Sequence, residues 1–487
     1  MTATLSLALT LCALAPLQQA PSPGPQASRA AQQAAPTGAP IRRRLPPVSD
    51  QRLKAFEAFY DELDLQSNFV LGGTFSSSRS RVQVGLTPLP RTYTVTFTNP
   101  GSNFTERVLI GLPAVLHSGT PAPMMVMFHG YNRTEASCYS DAKELFSKAQ
   151  NRGWYVVAPL GAHRWNYGID YAQSNIEYAL TFLQQNLPID PERIYGVGFS
   201  MGGGGAMSYG ARHLDPGKPR FAAIVNHTGG ASTALVYWNS MDTTIFNNQS
   251  FFGGSPAMFP FRYSQASALD IDPVTFAVDP DTDLIRNLQP VPLLNIHAAF
   301  DPNINLVLMT QIVFNWSGLI PNFQTFLLTP NFGTHHWDTL DENTVLNFLY
   351  SKTLSTPTEG VHRVLADRDA RWHHFSVTQD AAGAFTPFRW NYDALANRLT
   401  LDETENLLNM KVHCADLGLD TALDLEVIMS STDGLPESTT LTGYSVSPLS
   451  VLRAGVPTLD WTWDSQSQCV TLTELNPAAA STWKIVP

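Results

Sequence analysis

The chain has 487 residues, 44% of them apolar and 15% charged, with 41 acidic against 30 basic side chains and a formal net charge of −11. That length accommodates two domains, and the apolar content excludes wholesale disorder. The acidic balance leaves no basic footprint for a polyanion, so nucleic acid is not an expected partner.

Residues 2–17 are uncharged and mostly apolar, with small-residue sites at Ala13-Leu14-Ala15 and Gln18-Gln19-Ala20. The run is too short to span a bilayer and predicts a signal peptide over residues 1–20, although the usual Lys or Arg at its start is missing. A secreted or periplasmic location is therefore expected. Residues 21–48, rich in Pro, Ala and Gln and carrying Arg42-Arg43-Arg44, read as a disordered linker. No later segment is long and apolar enough for a membrane helix.

A catalytic region is expected over 49–355. Ser49 caps an amphipathic helix with Leu53, Phe56, Phe59, Tyr60 and Leu63 on one face. Strands are expected at 92–98, 107–112, 124–128 and 154–158, the last two as short continuous apolar runs suited to a sheet covered on both faces. Helical spacing follows at 135–150 and 171–186. Strands at 194–197, 221–225, 292–298 and 323–328 and a helix at 340–350 complete the region. Strand and helix alternate, which predicts a mostly parallel, doubly wound α/β sheet. Residues 232–289 interrupt the rhythm with Trp238, Phe246, Phe251, Phe252, Phe259, Phe261, Tyr263 and Phe276. A connection that long is expected to be a substrate-facing cap, the alternative being an excursion that packs its own small core.

From residue 356 to 487 short alternating segments separated by Asn, Asp, Gly and Pro describe a small all-β, sandwich-like domain. The pair His373-His374 falls within one of them, at 372–377, and is read as structural because no third metal ligand is evident. Beyond Cys12 in the leader, the cysteines are Cys138, Cys414 and Cys469. Cys414 and Cys469 could form one disulfide, or all three could be buried thiols. No C-x-x-C or His/Cys cluster offers a metal site, and no cofactor is expected.

The chemistry centres on Gly198-Phe199-Ser200-Met201-Gly202, which follows the 194–197 strand and precedes a helix-compatible run. Strand, sharp turn and helix put a serine at the tip, with glycines where a Cβ would obstruct the close approach of strand and helix. The pattern alone is weak and needs its partners. A serine hydroxyl needs a base and an acid that orients the base. Asp301 follows the 292–298 strand and His335 the 323–328 strand, in the order Ser, Asp, His. Both fall at the carboxyl edge of an open sheet, where ligands bind. Two amides suit an oxyanion hole: Met201, directly after the serine, and Tyr131, in the His129-Gly130-Tyr131 turn after the 124–128 strand. Each such donor contributes roughly 3 kcal/mol to transition-state binding. His129 and Gly130 are read as positioning residues.

Several of these stretches resemble the polyhydroxybutyrate depolymerase and feruloyl-esterase group of secreted α/β-hydrolases. They are Phe128-His129-Gly130, Pro188-Ile189-Asp190-Pro191-Glu192-Arg193 running into the Ser200 turn, Ile296-His297-x-x-x-Asp301, and His335-x-Trp337. The resemblance spans residues 90–350 and is specific as a set. It implies an α/β-hydrolase fold and carboxyl-ester hydrolysis by an exported enzyme acting on an ester, polymeric or small. The chain departs from the family's pattern at Thr334 and His336, where glycines usually precede a single histidine, and at Ala298, where a glycine is usual. The spacing to Trp337 assigns the base to His335, and His336 stays open as the alternative. Two other readings stand beside the esterase. One is a prolyl-oligopeptidase-like serine peptidase, although no propeller repeat precedes the catalytic region. The other is a catalytically inactive binding protein on a hydrolase scaffold.

Overall fold

The short apolar runs become the centre of a nine-stranded sheet among the described residues. Its strands are β1 (Ser80–Val84), β2 (Thr87–Thr98), β3 (Thr105–Gly111), β4 (Ala122–Phe128), β5 (Tyr155–Pro159), β6 (Ile189–Phe199), β7 (Ala223–His227), β8 (Leu293–Ala298) and β9 (Phe323–Leu328). The computed structural model describes residues 80–84, 87–99, 105–114, 121–240, 242–275, 277–278, 282–298, 301–303, 323–328, 335–337, 341–357, 360–475 and 480–487. The signal peptide, linker and Ser49 helix expected from the sequence lie outside these residues, as do Phe276 and Thr334.

Side by side the strands run β1-β2-β3-β5-β4-β6-β7-β8-β9, antiparallel from β1 to β5 and parallel from β5 to β9. Setting aside β1, this is the strand order of the α/β-hydrolase fold, with β3 as its one reversed strand. Burial on both faces follows the period of two. In β4, Met124 and Val126 enter one core with Ile176, Leu180 and Met207. Met125 and Met127 enter the other with Phe146, Trp154, Val345 and Leu349.

The helices covering the sheet match the expected ones with one exception. The span 135–150 is broken into α1 (Ser137–Ser140) and α2 (Lys143–Asn151). Ala142 between them leaves helical geometry, at φ −125° and ψ 41°. Asp141 there accepts from the Ser140 hydroxyl and pairs with Arg133 at 3.4 Å, local polar bonding that competes with the helix. Next come α3 (Asp170–Asn186), α4 (Met201–Arg212) and, at the end of the region, α8 (Glu342–Tyr350), whose cap Asp341 accepts the Asn343 N–H.

The 232–289 excursion carries α5 (Thr233–Asn239), α6 (Thr244–Asn247) and α7 (Pro260–Gln265). Ser232 caps α5 through its hydroxyl. Phe246, Phe252 and Tyr263 pack with Tyr237 and with Ile169 and Ala172 at the start of α3. The excursion therefore has its own small core, and that core is shared with the catalytic sheet's flank.

From His362 to Val486 the described residues form sheets of seven and six strands, with one short 3-10 turn at Cys414–Leu417. Val364, Phe388, Trp390, Val427 and Trp483 of one sheet and Phe375, Val377, Met410, Leu441 and Leu472 of the other form a single core between them, which makes the unit a sandwich. One expectation needs correcting here. His373 and His374 do not lie along a strand: they form the turn between two short strands, Ala370–Trp372 and Phe375–Gln379, with His373 at φ 53°. Both flanks are apolar and buried, so the alternation reads through the turn as if it were absent. Cys138, Cys414 and Cys469 are all free and buried.

The sandwich is joined to the catalytic sheet through buried polar bonds. Arg212, the last residue of α4, donates from Nε to Asp367 at 2.6 Å and reaches Asp170 at 2.5 Å, with no exposure of either the Arg212 or the Asp367 side chain. Asn287 donates to the carbonyls of Ala211 and Leu365 and accepts the Leu365 N–H, each at 2.9 Å. Leu365 packs in the sheet's core and Leu214 in the sandwich's.

Candidate active site

Ser200 sits between β6 and α4 with φ 55° and ψ −124°. A backbone like this in a non-glycine residue costs on the order of 1–3 kcal/mol and persists only where its surroundings over-determine it. They do so here. The Ser200 N–H is held by the His227 carbonyl at 3.0 Å, and its own carbonyl takes the Gly203 N–H at 2.9 Å. A Cβ on Gly198 would stand 1.9 Å from the Gly202 carbonyl oxygen, and one on Gly202 would stand 2.2 Å from that of Phe128. Strand, turn and helix fit together only without those carbons.

The turn after β4 comes to the serine from the other side. A Cβ on Gly130 would stand 3.2 Å from the Phe199 ring and 3.6 Å from the Ser200 Cβ. His129 is buried with Nδ1 2.9 Å from the Gly130 carbonyl and Nε2 2.9 Å from the Leu160 carbonyl. Burial holds its pKa below the ordinary imidazole value, so the neutral ring donates to one of the two carbonyls. Around this turn the Asn132 N–H is taken by Arg164 and the Arg133 N–H by Gly130. Among the described residues no protein acceptor takes the Tyr131 N–H. Met201, as the first helical residue, has no intrahelical acceptor.

Asp301 and His335 meet although 34 residues separate them: Nδ1 of His335 lies 2.6 Å from Oδ2 of Asp301. The Asp301 side chain has no exposure, and its Oδ1 accepts the Asn303 N–H at 2.8 Å. His336 is exposed, so the histidine brought to the acid is His335. Phe199, directly before the serine, lies against His335 at 4.7 Å between ring centres and stacks on Trp337 at 5.1 Å. His227 completes this aromatic floor, 5.2 Å from Phe199 and 5.7 Å from Trp337. Its pKa is pushed down to about 3, first by burial and then by His335 and His297.

Two supports escaped the sequence reading. Glu106, buried in β3, accepts the Gly161 N–H at 2.9 Å, the Ala162 N–H at 2.7 Å and an Asn175 amide N–H at 3.2 Å. It thereby fixes the loop that supplies the Leu160 and Arg164 carbonyls to the His129–Arg133 turn. Flanked by Thr105 and Arg107 at the polar start of its strand, it carried no signal of burial in the sequence. The second support is Tyr167, which packs on Tyr131 at 5.8 Å and on Phe246 of the aromatic excursion at 4.7 Å. Among the described residues no group of His, Cys, Asp and Glu side chains could hold a metal ion.

No family model and no curated protein matches the chain. Among solved structures it is similar to an S-formylglutathione hydrolase from Agrobacterium tumefaciens, at 14% identity and a TM-score of 0.41 over 56% of this chain and 98% of that one. It is similar to a ferulic acid esterase at 16% identity and 0.39, over 53% and 96%. It is also similar to an acylaminoacyl peptidase from Pyrococcus horikoshii at 16% identity and 0.39, over 59% and 43%. Identities and scores this low bear on neither the substrate nor the role of any residue.

Proposed function

We propose that this protein is an exported serine esterase in which Ser200 is the nucleophile, His335 the general base and Asp301 the group that orients it. The observation that carries the reading is the convergence at one sheet edge. A serine stands in an over-determined positive-φ turn, a glycine turn lies so near that a Cβ on it would reach van der Waals contact with the serine, and a buried aspartate holds a histidine beside the serine's neighbour Phe199.

In this reading the Ser200 Oγ attacks the ester carbonyl while His335 Nε2 takes its proton. Asp301 keeps the Nδ1 proton pointing at itself and stabilises the imidazolium without becoming protonated. The negative oxygen that forms is received by the Met201 and Tyr131 amides. His335 then returns its proton to the departing alkoxide, leaving an acyl group on Ser200. Water, deprotonated by the same imidazole, attacks that acyl carbon and releases the acid.

The substrate class rests on the motif resemblance: polyester, feruloyl or acyl-polysaccharide, and short-chain esters all fall within it. The contact from Phe246 through Tyr167 to Tyr131 favours the aromatic excursion as a wall of the substrate site, with Trp238 half exposed on it. Export rests on the apolar N-terminal run, and the catalytic and sandwich parts are taken to divide near residue 355.

The test is labelling with a fluorophosphonate, followed by turnover of p-nitrophenyl acetate and butyrate beside a peptide anilide. Labelling at Ser200 with ester turnover is expected. Unlabelled protein sinks the reading, and anilide cleavage without ester cleavage replaces it with a peptidase.

A further inference from the structure

A cleft of about 480 Å³ opens at the carboxyl end of β5, a volume that suits a small ligand. Its lining includes the buried Leu160 and Ala162, then His163, Arg164 and Trp165 of the same loop, and Arg107 of β3. Asn132, which directly follows Tyr131, gives its N–H to the Arg164 carbonyl at 3.0 Å and takes the Trp165 indole N–H on Oδ1 at 3.1 Å. The lining is thus bonded directly to the neighbour of an amide assigned to the oxyanion.

The loop is held in a shape that its side chains do not favour. Ala162 has φ 67° and Tyr167 φ 45°, left-handed conformations uncommon in residues that carry a Cβ. The Ala162 N–H is fixed on the Glu106 carboxyl at 2.7 Å and the Trp165 N–H on Nδ1 of His163 at 3.2 Å. Nε2 of His163 in turn lies 2.5 Å from the Tyr171 hydroxyl. Backbone of this kind persists where its surroundings over-determine it, and it clusters at ligand sites.

Charge decides what the cleft takes. Arg107 is engaged by Glu135, whose carboxylate oxygens lie 3.0 Å from its Nε and 3.1 Å from its Nη2. Burial, then His129, brings the His163 pKa down to about 4, so that ring is neutral. Arg164 is exposed and lies over the Trp165 ring, with Cζ 5.8 Å from its centre. Among the described residues its guanidinium forms no ion pair and reaches only the neutral Oδ1 of Asn132, at 3.4 Å. The described lining holds no carboxylate to balance it. With its N–H engaged by Asn132, Trp165 offers the cleft apolar ring surface.

We infer that this cleft is a substrate subsite for esters that carry a carboxylate away from the scissile bond, a reading that rests on the esterase assignment above. The carbon chain of such a substrate lies along Leu160, Ala162 and the Trp165 ring, and its carboxylate pairs with Arg164, whose planar fork suits two oxygens.

Matched substrates test this. Mono-p-nitrophenyl glutarate and p-nitrophenyl valerate have acyl chains of the same length, and only the first ends in a carboxylate. p-Carboxyphenyl and p-carbamoylphenyl butyrate make the same comparison on the alcohol. In one pair the anionic ester should show a KM about three- to tenfold below its neutral partner, and that pair identifies the half of the substrate the cleft takes. Arg164→Gln should bring the two KM values together, and because the side chain is exposed the substitution leaves the core untouched. Equal KM within both pairs overturns the subsite, and so does an Arg164→Gln variant that keeps the preference. Calorimetric binding of the same esters to Ser200→Ala separates this from the esterase reading. A chain that turns over no ester yet binds an anionic one more tightly, and loses that preference with Arg164→Gln, keeps the subsite and sinks the esterase. Turnover with no preference in KM or in binding does the reverse.

Discussion

The catalytic sheet and the sandwich bury polar groups on opposite plans. In the sheet they collect where the parallel strands end: Ser200, Asn226, His227, His297 and Asp301 are all buried at or just beyond the carboxyl ends of β6, β7 and β8. In the sandwich the strands alternate, as in the Leu425–Ser431 strand, where Leu425, Val427 and Met429 turn inward and Glu426 and Ser430 outward. Two of the buried acids there, Glu437 and Glu474, face each other on paired strands. A parallel sheet leaves an edge at which every chain must turn, so amides and side chains can be aimed at one point. The sandwich, antiparallel but for one parallel pair in each sheet, gathers no such edge, so a polar group inside it answers mainly to stability.

That contrast can be broken in both directions. The largest effect is expected at Ser200→Ala: a loss of roughly 10⁴–10⁶-fold in kcat on p-nitrophenyl butyrate with Tm unchanged or raised, since the turn is strained rather than stabilising. A large fall in Tm would show the elbow to be part of the scaffold. In the sandwich, Trp483→Ala should do the reverse. It empties a fully buried position and should cost about 3–5 kcal/mol in denaturant unfolding, with kcat preserved in whatever fraction stays folded.

Smaller and more specific is the pH dependence of the sandwich. Burial, then Asp433 and Glu474, push the Glu437 pKa up to about 7, while the Thr404 hydroxyl donates to it at 2.7 Å. In the folded chain this carboxyl holds its proton to higher pH than in the unfolded chain. Its contribution is therefore fully present below the unfolded value and is lost as pH rises through about 7. Between pH 5 and pH 8 the wild type should lose about 2–3 kcal/mol relative to Glu437→Gln, read from chemical denaturation at the two values. A parallel pair of curves would show the carboxyl to be ionised throughout. The smallest effect belongs to His336→Ala, which should leave kcat within about twofold because an exposed side chain away from Asp301 carries little of the barrier. A dead variant would move the base from His335 to His336.

What the sequence made legible follows the same division. The turn at Ser200 was readable because its constraint is local: glycine is required two residues on either side, and the strand and helix flank it directly. The meeting of Asp301 with His335 was readable from chain order, since each follows a strand of one sheet. The Asp141 break was not, because its cause is side-chain bonding across a single turn that helical spacing does not register. Nor was the His373-His374 turn, where burial on both sides imitates one continuous strand. Arg212 and Asp367 left no trace at all: they stand 155 positions apart, and each alone looks like a surface charge.

That last pair bears on how such a chain can change over generations. The helix that follows Ser200 ends in a guanidinium shared between Asp170 of the catalytic region and Asp367 of the C-terminal part, so losing that part would strip the end of the nucleophile's own helix of its fully buried carboxylate. Exchange or truncation of the tail would leave Arg212 with the half-exposed Asp170 alone to balance it.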